Sequence, residues 1–154
     1  MNATTLNETP GETAPVLIIT RHFNAAPSRV FNAWTDTDII TRWMGLKGLN
    51  AIIDAHDPRV DGIYRFIMKG AESTHKTRGI FLEVDPPRRL VFTRAWEEGG
   101  CADIETLVEL DFRPSGEGTE LTLTQRRFNS EEMRDEHNGV WTSCLDYLEE
   151  MLAS

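Results

Sequence analysis

Ile104-Glu105-Thr106-Leu107-Val108-Glu109-Leu110-Asp111-Phe112 runs into Arg113-Pro114-Ser115-Gly116-Glu117-Gly118 and back through Thr119-Glu120-Leu121-Thr122-Leu123-Thr124-Gln125. Apolar and polar residues alternate on both sides of a turn rich in Gly and Pro. Period-2 alternation about such a turn is the pattern of an antiparallel hairpin with one buried face. The second strand extends to Phe128.

Working upstream, the same logic repeats. Leu90 to Trp96 is a strand that reaches a turn at Gly99-Gly100. His75 to Val84 is another, stopped by Asp85-Pro86-Pro87. Ile63 to Lys69 places Tyr64, Phe66 and Met68 on one face, and Leu49 to His56 ends at Asp57-Pro58. Val16 to Phe23 is β-rich and forms a first strand. Pro27 suits the first turn of a helix, within which Val30, Phe31 and Trp34 recur at helical spacing. Asp36-Thr37 offers a second N-cap, Ile39, Ile40, Trp43 and Met44 form a second stripe, and Gly45 suits its end. Downstream, Ser130 to Leu152 is one long helix. Met133, His137, Val140, Trp141, Cys144, Leu148, Met151 and Leu152 share its apolar stripe.

The order is strand, two short helices, a run of about six strands, long helix. One amphipathic helix must then cover a large antiparallel sheet, which curls around it in a two-layer α+β domain. Residues 1–15, polar and holding Pro10, Gly11 and Pro15, read as a flexible tail, leaving 16–154 as a single domain. A chain of 154 residues has room for one ordinary domain.

Hairpin turns set an expected register. Centring the turn at 114–118 places Leu110 opposite Leu121, Val108 opposite Leu123 and Thr106 opposite Gln125. Centring the preceding turn near Gly99-Gly100 places Leu90 opposite Leu110, Phe92 opposite Val108 and Arg94 opposite Thr106. Two inward rows are then apolar, and a third, Arg94, Thr106 and Gln125, is polar. Such a row is either solvated at an open rim or partnered by water, another side chain or a ligand, because buried polar groups need partners. Its arginine favours a carboxylate or another anionic group. Either parity of the strand 75–84, Gly79/Phe81/Glu83 or Ile80/Leu82/Val84, can face inward.

Composition narrows the partners. The formal charge is -9 and the pI about 4.9, against the basic surface that nucleic acids or anionic membranes require. The charge is uneven: the helix from Ser130 has seven acids and one base, while residues 16–129 have 16 acids and 15 bases. The helix surface is a solvated face or a docking surface, the first being the ordinary meaning. No apolar run reaches the roughly 20 residues of a membrane-spanning helix, and the first residues do not resemble a signal peptide. With two cysteines, Cys101 and Cys144, too few for a disulfide framework, a cytoplasmic setting is expected.

No strong catalytic, nucleotide-binding or metal-binding motif is present, so neither cofactor nor metal is expected. His22, His56, His75 and His137 lie far apart in sequence. His56-Asp57 is the spacing of a base and its orienter, but equally of a strand end before a turn. His137 lies on the inner stripe of the long helix and is either a satisfied core histidine or a cavity acid or base. Cys144 suits a small core position.

The set as a whole resembles a known superfamily. Ala26-Pro27-Ser28-Arg29-Val30-Phe31-Asn32-Ala33-Trp34-Thr35-Asp36 followed by Arg42-Trp43-Met44-Gly45 resembles the opening of the START-like, or SRPBCC, helix-grip proteins. Asp61-Gly62-Ile63-Tyr64-Arg65-Phe66-Ile67-Met68 and the stretch Gly79 to Thr93 extend the likeness. His137-Asn138-Gly139-Val140-Trp141-Thr142-Ser143-Cys144-Leu145-Asp146-Tyr147-Leu148 completes it. The branch resembled is the single-domain bacterial form of the activator of the heat-shock-protein-ninety ATPase. Asp61-Gly62 stands where Gly-Gly is usual, and Gly139-Val140-Trp141 where Gly-Trp is usual.

The resemblance implies a curved antiparallel sheet gripping the C-terminal helix around a hydrophobic cavity. The expected function is binding of a small hydrophobic or amphipathic ligand there. Expected lining residues are Tyr64, Phe66, Met68, Phe92, Arg94, Trp96, Thr106, Val108, Leu123, Gln125, His137 and Trp141. The alternatives are a protein-interaction module with a chaperone as partner, or a cyclase- or hydrolase-type enzyme using Arg94, His137 or Glu83 in the same cavity.

Overall fold

A computed structural model of the chain describes residues 15–44, 50–69, 74–97 and 104–153. The expectations for the tail, for Gly45 and for the Gly99-Gly100 turn lie outside the described residues. Strand β1 (Leu17–Phe23) leads into helices α1 (Pro27–Thr35) and α2 (Thr37–Trp43). Strands β2 (Asn50–His56), β3 (Ile63–Lys69), β4 (Thr74–Asp85), β5 (Arg89–Trp96), β6 (Thr106–Ser115) and β7 (Gly118–Arg126) follow, then α3 (Glu131–Ala153).

The seven strands form one curved antiparallel sheet ordered β1-β7-β6-β5-β4-β3-β2. Consecutive strands pair by hairpin logic, and β1 closes against the last strand, with Leu17 opposite Gln125. The helices start where their caps stand. Pro27 opens α1, Asp36 accepts from the Ile39 N–H at 3.1 Å, and Ser130 Oγ accepts from the Met133 N–H at 3.1 Å. On α3 the expected stripe is buried, with Val140 and Met151 at its margins and Leu145 as a further buried member.

The β5–β6 register is the expected one: Leu90, Phe92 and Arg94 face Leu110, Val108 and Thr106. The β6–β7 register is not. Leu110 stands opposite Leu123, Val108 opposite Gln125, and Phe112 opposite Leu121. The ladder continues to the pair Ser115–Gly118, so the turn consists of Gly116 and Glu117 alone, with Gly116 at φ 61°. A positive φ at the first turn position suits the twist of a tight hairpin and costs glycine least. The slip is two residues, so every inward residue stays inward.

On β4 a bulge between Phe81 and Glu83 explains why neither parity was decisive. Before it, Thr77 and Phe81 are buried while Ile80 is exposed; beyond it, Val84 packs against the core and Glu83 is exposed.

Candidate functional site

β3, β4 and β5 lay an aromatic floor. Tyr64, Phe66, Phe81 and Phe92 are all buried on the inner face. Tyr64 sits at its centre, with ring centroids 5.0 Å from Phe66, 5.6 Å from Phe81 and 5.6 Å from Phe92. Its hydroxyl donates to the Thr93 carbonyl at 2.6 Å, and burial pushes the phenol pKa far up, so it stays neutral. From above, α1 and α2 bring Trp34, Ile40 and Met44. Between them lies a cavity of about 10 Å³, lined also by Leu90 and Arg94. That is room for about one water molecule.

The polar row lies beside this cavity, and it is buried. Arg94 is 3% exposed, Thr106 1% and Gln125 0%. The open-rim reading is thereby corrected: α3 covers this end of the sheet. A directed relay joins the layers. Trp141 Nε1 donates to Gln125 Oε1 at 2.8 Å, Gln125 Nε2 donates to Thr106 Oγ1 at 2.8 Å, and Thr106 donates to the Arg94 carbonyl at 2.9 Å. Gln125 reaches Thr106 although Val108 is the residue directly opposite it.

Arg94 is held differently. Its guanidinium carbon lies 5.0 Å from the Trp96 ring centroid and 4.9 Å from that of Trp141. Such stacking stabilises a desolvated cation by about 2 kcal/mol or more. It supplies no hydrogen-bond acceptor, and Arg94 Nε is buried without a partner. Among the described residues no carboxylate lies against it; burial lowers its pKa, and only Tyr64 and Cys144 act electrostatically to raise it. A guanidinium nevertheless remains protonated.

His137 closes the end of the row. Trp96 Nε1 donates to its Nε2 at 2.8 Å, which places the imidazole proton on Nδ1, 2.8 Å from the Met133 carbonyl. Burial lowers its pKa; the Met133 carbonyl opposes this and the Arg94 charge adds to it. His137 is therefore a neutral, fully hydrogen-bonded imidazole. His56 bonds Thr37 through Nδ1 at 2.8 Å and packs on Phe66 and Phe81, leaving Nε2 buried without a partner.

The expected lining set thus divides. Tyr64, Phe66, Phe92 and Arg94 border the cavity. Trp96, Thr106, Gln125, His137 and Trp141 form the polar network beside it. Val108 and Leu123 are solid core at 0% exposure, and Met68 is buried on the β3 face outside the cavity lining. Glu83 does not join Arg94 and His137: it is exposed and bonds Arg89 at 3.2 Å, so that proposed catalytic trio is not assembled. Trp34, Ile40, Met44, Phe81 and Leu90 were missed as lining. The helical stripes announced the first three as buried, but not what they would face.

Among the described residues no group of three His, Cys, Asp or Glu is placed to hold a metal ion, and no helix is long and apolar enough to cross a membrane. A second, open surface groove of about 490 Å³ lies over Arg88, Arg89, Asp111 and Arg113.

A family model described as activator of Hsp90 ATPase homolog 1-like protein matches residues 24–153. No curated protein matches the chain. Among solved structures, protein CV1439 from Chromobacterium violaceum superposes with a TM-score of 0.84 at 21% identity, over 90% of this chain and 97% of that one. The AHSA1 protein from Silicibacter pomeroyi gives 0.81 at 28% identity, over 90% and 98%. CalU16 from Micromonospora echinospora gives 0.69 at 27% identity, over 94% and 80%.

Proposed function

The chain belongs to the activator of Hsp90 ATPase homolog 1-like family, and from that premise we propose that it binds a small amphipathic molecule between the sheet and the C-terminal helix. The observation carrying this reading is Arg94, a buried cation at the wall of an aromatic cavity with no counter-charge among the described residues.

The contrast with the other arginines gives it weight. Arg21, Arg65, Arg89 and Arg126 each hold a carboxylate at 2.6–2.8 Å on more exposed ground. Arg94 alone of these five is buried, where a lone charge costs several kcal/mol. Replacing its water shell with a bound polar end recovers that cost, while the aromatic walls take an apolar body. A cavity of about 10 Å³ must widen to admit one. Met44, an unbranched side chain at its wall, is the side chain best able to shift.

Native mass spectrometry combined with thermal-shift screening of fatty and aromatic compounds tests the reading. A stoichiometric adduct with a matching rise in melting temperature is expected. A protein that stays unliganded and unshifted across the screen refutes it.

A further inference from the structure

Two side chains lining the cavity carry buried nitrogen atoms with no hydrogen-bond partner among the described residues: Trp34 Nε1 and Arg94 Nε. Both are donors that cannot accept. The missing group must therefore be an acceptor, and Arg94 requires it to be anionic. We infer that the occupant is a monocarboxylic acid whose head group is read by Arg94 together with Trp34. This rests on the reading that the interior binds an amphipathic molecule.

Three comparisons select the class. A water molecule fits the present space and can accept from both nitrogens, but it leaves the cation unneutralised. A phosphate head carries up to two charges and calls for several donors or cations. Here the other polar groups nearby are already engaged: Gln125 with Trp141 and Thr106, His137 with Trp96 and Met133. An alcohol or amide offers an acceptor but no charge. A carboxylate matches one planar cation and one indole N–H, and its two oxygens can accept from both. Trp34 is 1% exposed and Arg94 3% exposed, so these contacts form out of water, where a charge-assisted hydrogen bond is strongest. Most of the remaining lining is aromatic: Tyr64, Phe66, Phe81 and Phe92. A flat or flexible apolar body suits it.

Matched pairs provide the test. Decanoate and 2-naphthoate are titrated against the full chain beside decanamide and 2-naphthamide, at fixed pH and ionic strength. At least one acid is expected to bind ten-fold or more tightly than its amide. Arg94→Met should collapse that ratio to about one. Arg94→Lys, which keeps a charge without the planar fork, should retain an intermediate ratio. Trp34→Phe, which keeps an aromatic ring and removes the N–H, should weaken the acid several-fold more than the amide. Equal binding of acid and amide to the unaltered chain overturns the head-group assignment and leaves the binding reading standing. An acid preference that survives Arg94→Met also overturns it. Failure of both members of both pairs to bind overturns the assignment and counts against the binding reading as well.

Discussion

Trp141 and Gln125 are tied by a 2.8 Å hydrogen bond from the indole Nε1 to the amide Oε1, and this bond pins the C-terminal helix to the last strand. Gln125 passes the direction on to Thr106, which in turn donates to the Arg94 carbonyl. Both ends are buried, so breaking the bond leaves the indole N–H without an acceptor. Gln125→Met should cost about 1–3 kcal/mol in urea unfolding, the penalty of one unsatisfied buried donor. Trp141→Phe in the Gln125→Met background should cost less than Trp141→Phe alone, because the bond is already broken there and the second change removes the orphaned N–H. Additivity of the two changes would mean the bond contributes nothing specific.

Arg94 leads to the opposite sign. It is buried with no anionic partner among the described residues, so its removal relieves a desolvated charge while sacrificing two cation–π contacts. Arg94→Met should leave the unliganded protein between unchanged and about 3 kcal/mol more stable, as with other buried charges replaced by apolar groups. A residue held for ligand contact against the interest of stability behaves this way. A loss of more than about 1 kcal/mol in urea unfolding would assign Arg94 a structural role instead.

The two partly buried histidines set an acid limb. Burial is the largest influence on both His137 and His56, and it lowers both below the ordinary 6.5. The unfolded chain then takes up protons near pH 6.5 while the folded chain resists. Stability is fully present above that pH and is lost as pH falls toward the folded values, at no more than about 1.4 kcal/mol per pH unit for each histidine. Urea midpoints at pH 8.0 and 5.5 should differ in that direction. His137→Gln, whose carbonyl can still accept from Trp96, should reduce the difference. A midpoint that holds or rises at pH 5.5 contradicts the assignment. Glu97 and Glu109 lie in a separate, lower window. Arg65 bonding lowers Glu97 below 4.5, and Arg126 and Arg89 outweigh the burial that would raise Glu109. Their stabilising contribution disappears only as pH falls through that acidic range.

Parity was legible in the sequence and level was not. The alternation of Val108, Leu110 and Phe112 with Glu109 and Asp111 states which face is buried, whatever the turn does. Gly116 and Gly118 offer two ways to close the same turn, and the shorter one moved Gln125 from Thr106 to Val108 without turning it outward. On β4 even parity was illegible, because the bulge after Phe81 switches faces midway. The expected register put Arg94, Thr106 and Gln125 in one row, and the helix stripe put His137 and Trp141 on the inner face of α3, because strand alternation and helix periodicity are local patterns. That Arg94 is buried depends on Trp141 of α3 closing over it beside its strand neighbour Trp96, and the Trp141 contact joins elements far apart in sequence. The wall supplied by Trp34, Ile40 and Met44 depends on how α1 and α2 lie across the sheet, which no periodicity encodes.

Cys144 faces the same interior. It is 2% exposed, donates to the Met44 carbonyl at 3.5 Å, and burial pushes its thiol pKa up to about 11. The thiolate is the reactive form, so the native residue is inert near neutrality. In a Cys101→Ser background, a disulfide reagent at pH 8 should modify Cys144 only as fast as the chain opens, and urea near the midpoint should accelerate it by orders of magnitude. Immediate stoichiometric reaction in native buffer would show that α3 does not hold Cys144 against the interior.

Two glycines make opposite predictions under the same substitution. Gly79 stands directly opposite Tyr64 across β3 and β4. A Cβ there would lie 1.9 Å from the Thr93 carbonyl oxygen and 2.4 Å from Tyr64 Cε2. The Thr93 carbonyl of β5 would have to shift and the ring with it, disturbing the 2.6 Å bond between them that fixes the centre of the aromatic floor. Gly79→Ala should therefore destabilise by about 2–4 kcal/mol, the cost of overpacking plus a lost hydrogen bond. Gly139 sits in α3 with nothing within 4 Å of its would-be Cβ. There alanine only restricts the unfolded chain and favours the helix, so Gly139→Ala should stabilise by about 0.5–1 kcal/mol. Thermal and urea unfolding of the two variants side by side decide the matter. A neutral Gly79→Ala would mean that Tyr64 does not lie against β4, and the aromatic floor as described would be wrong.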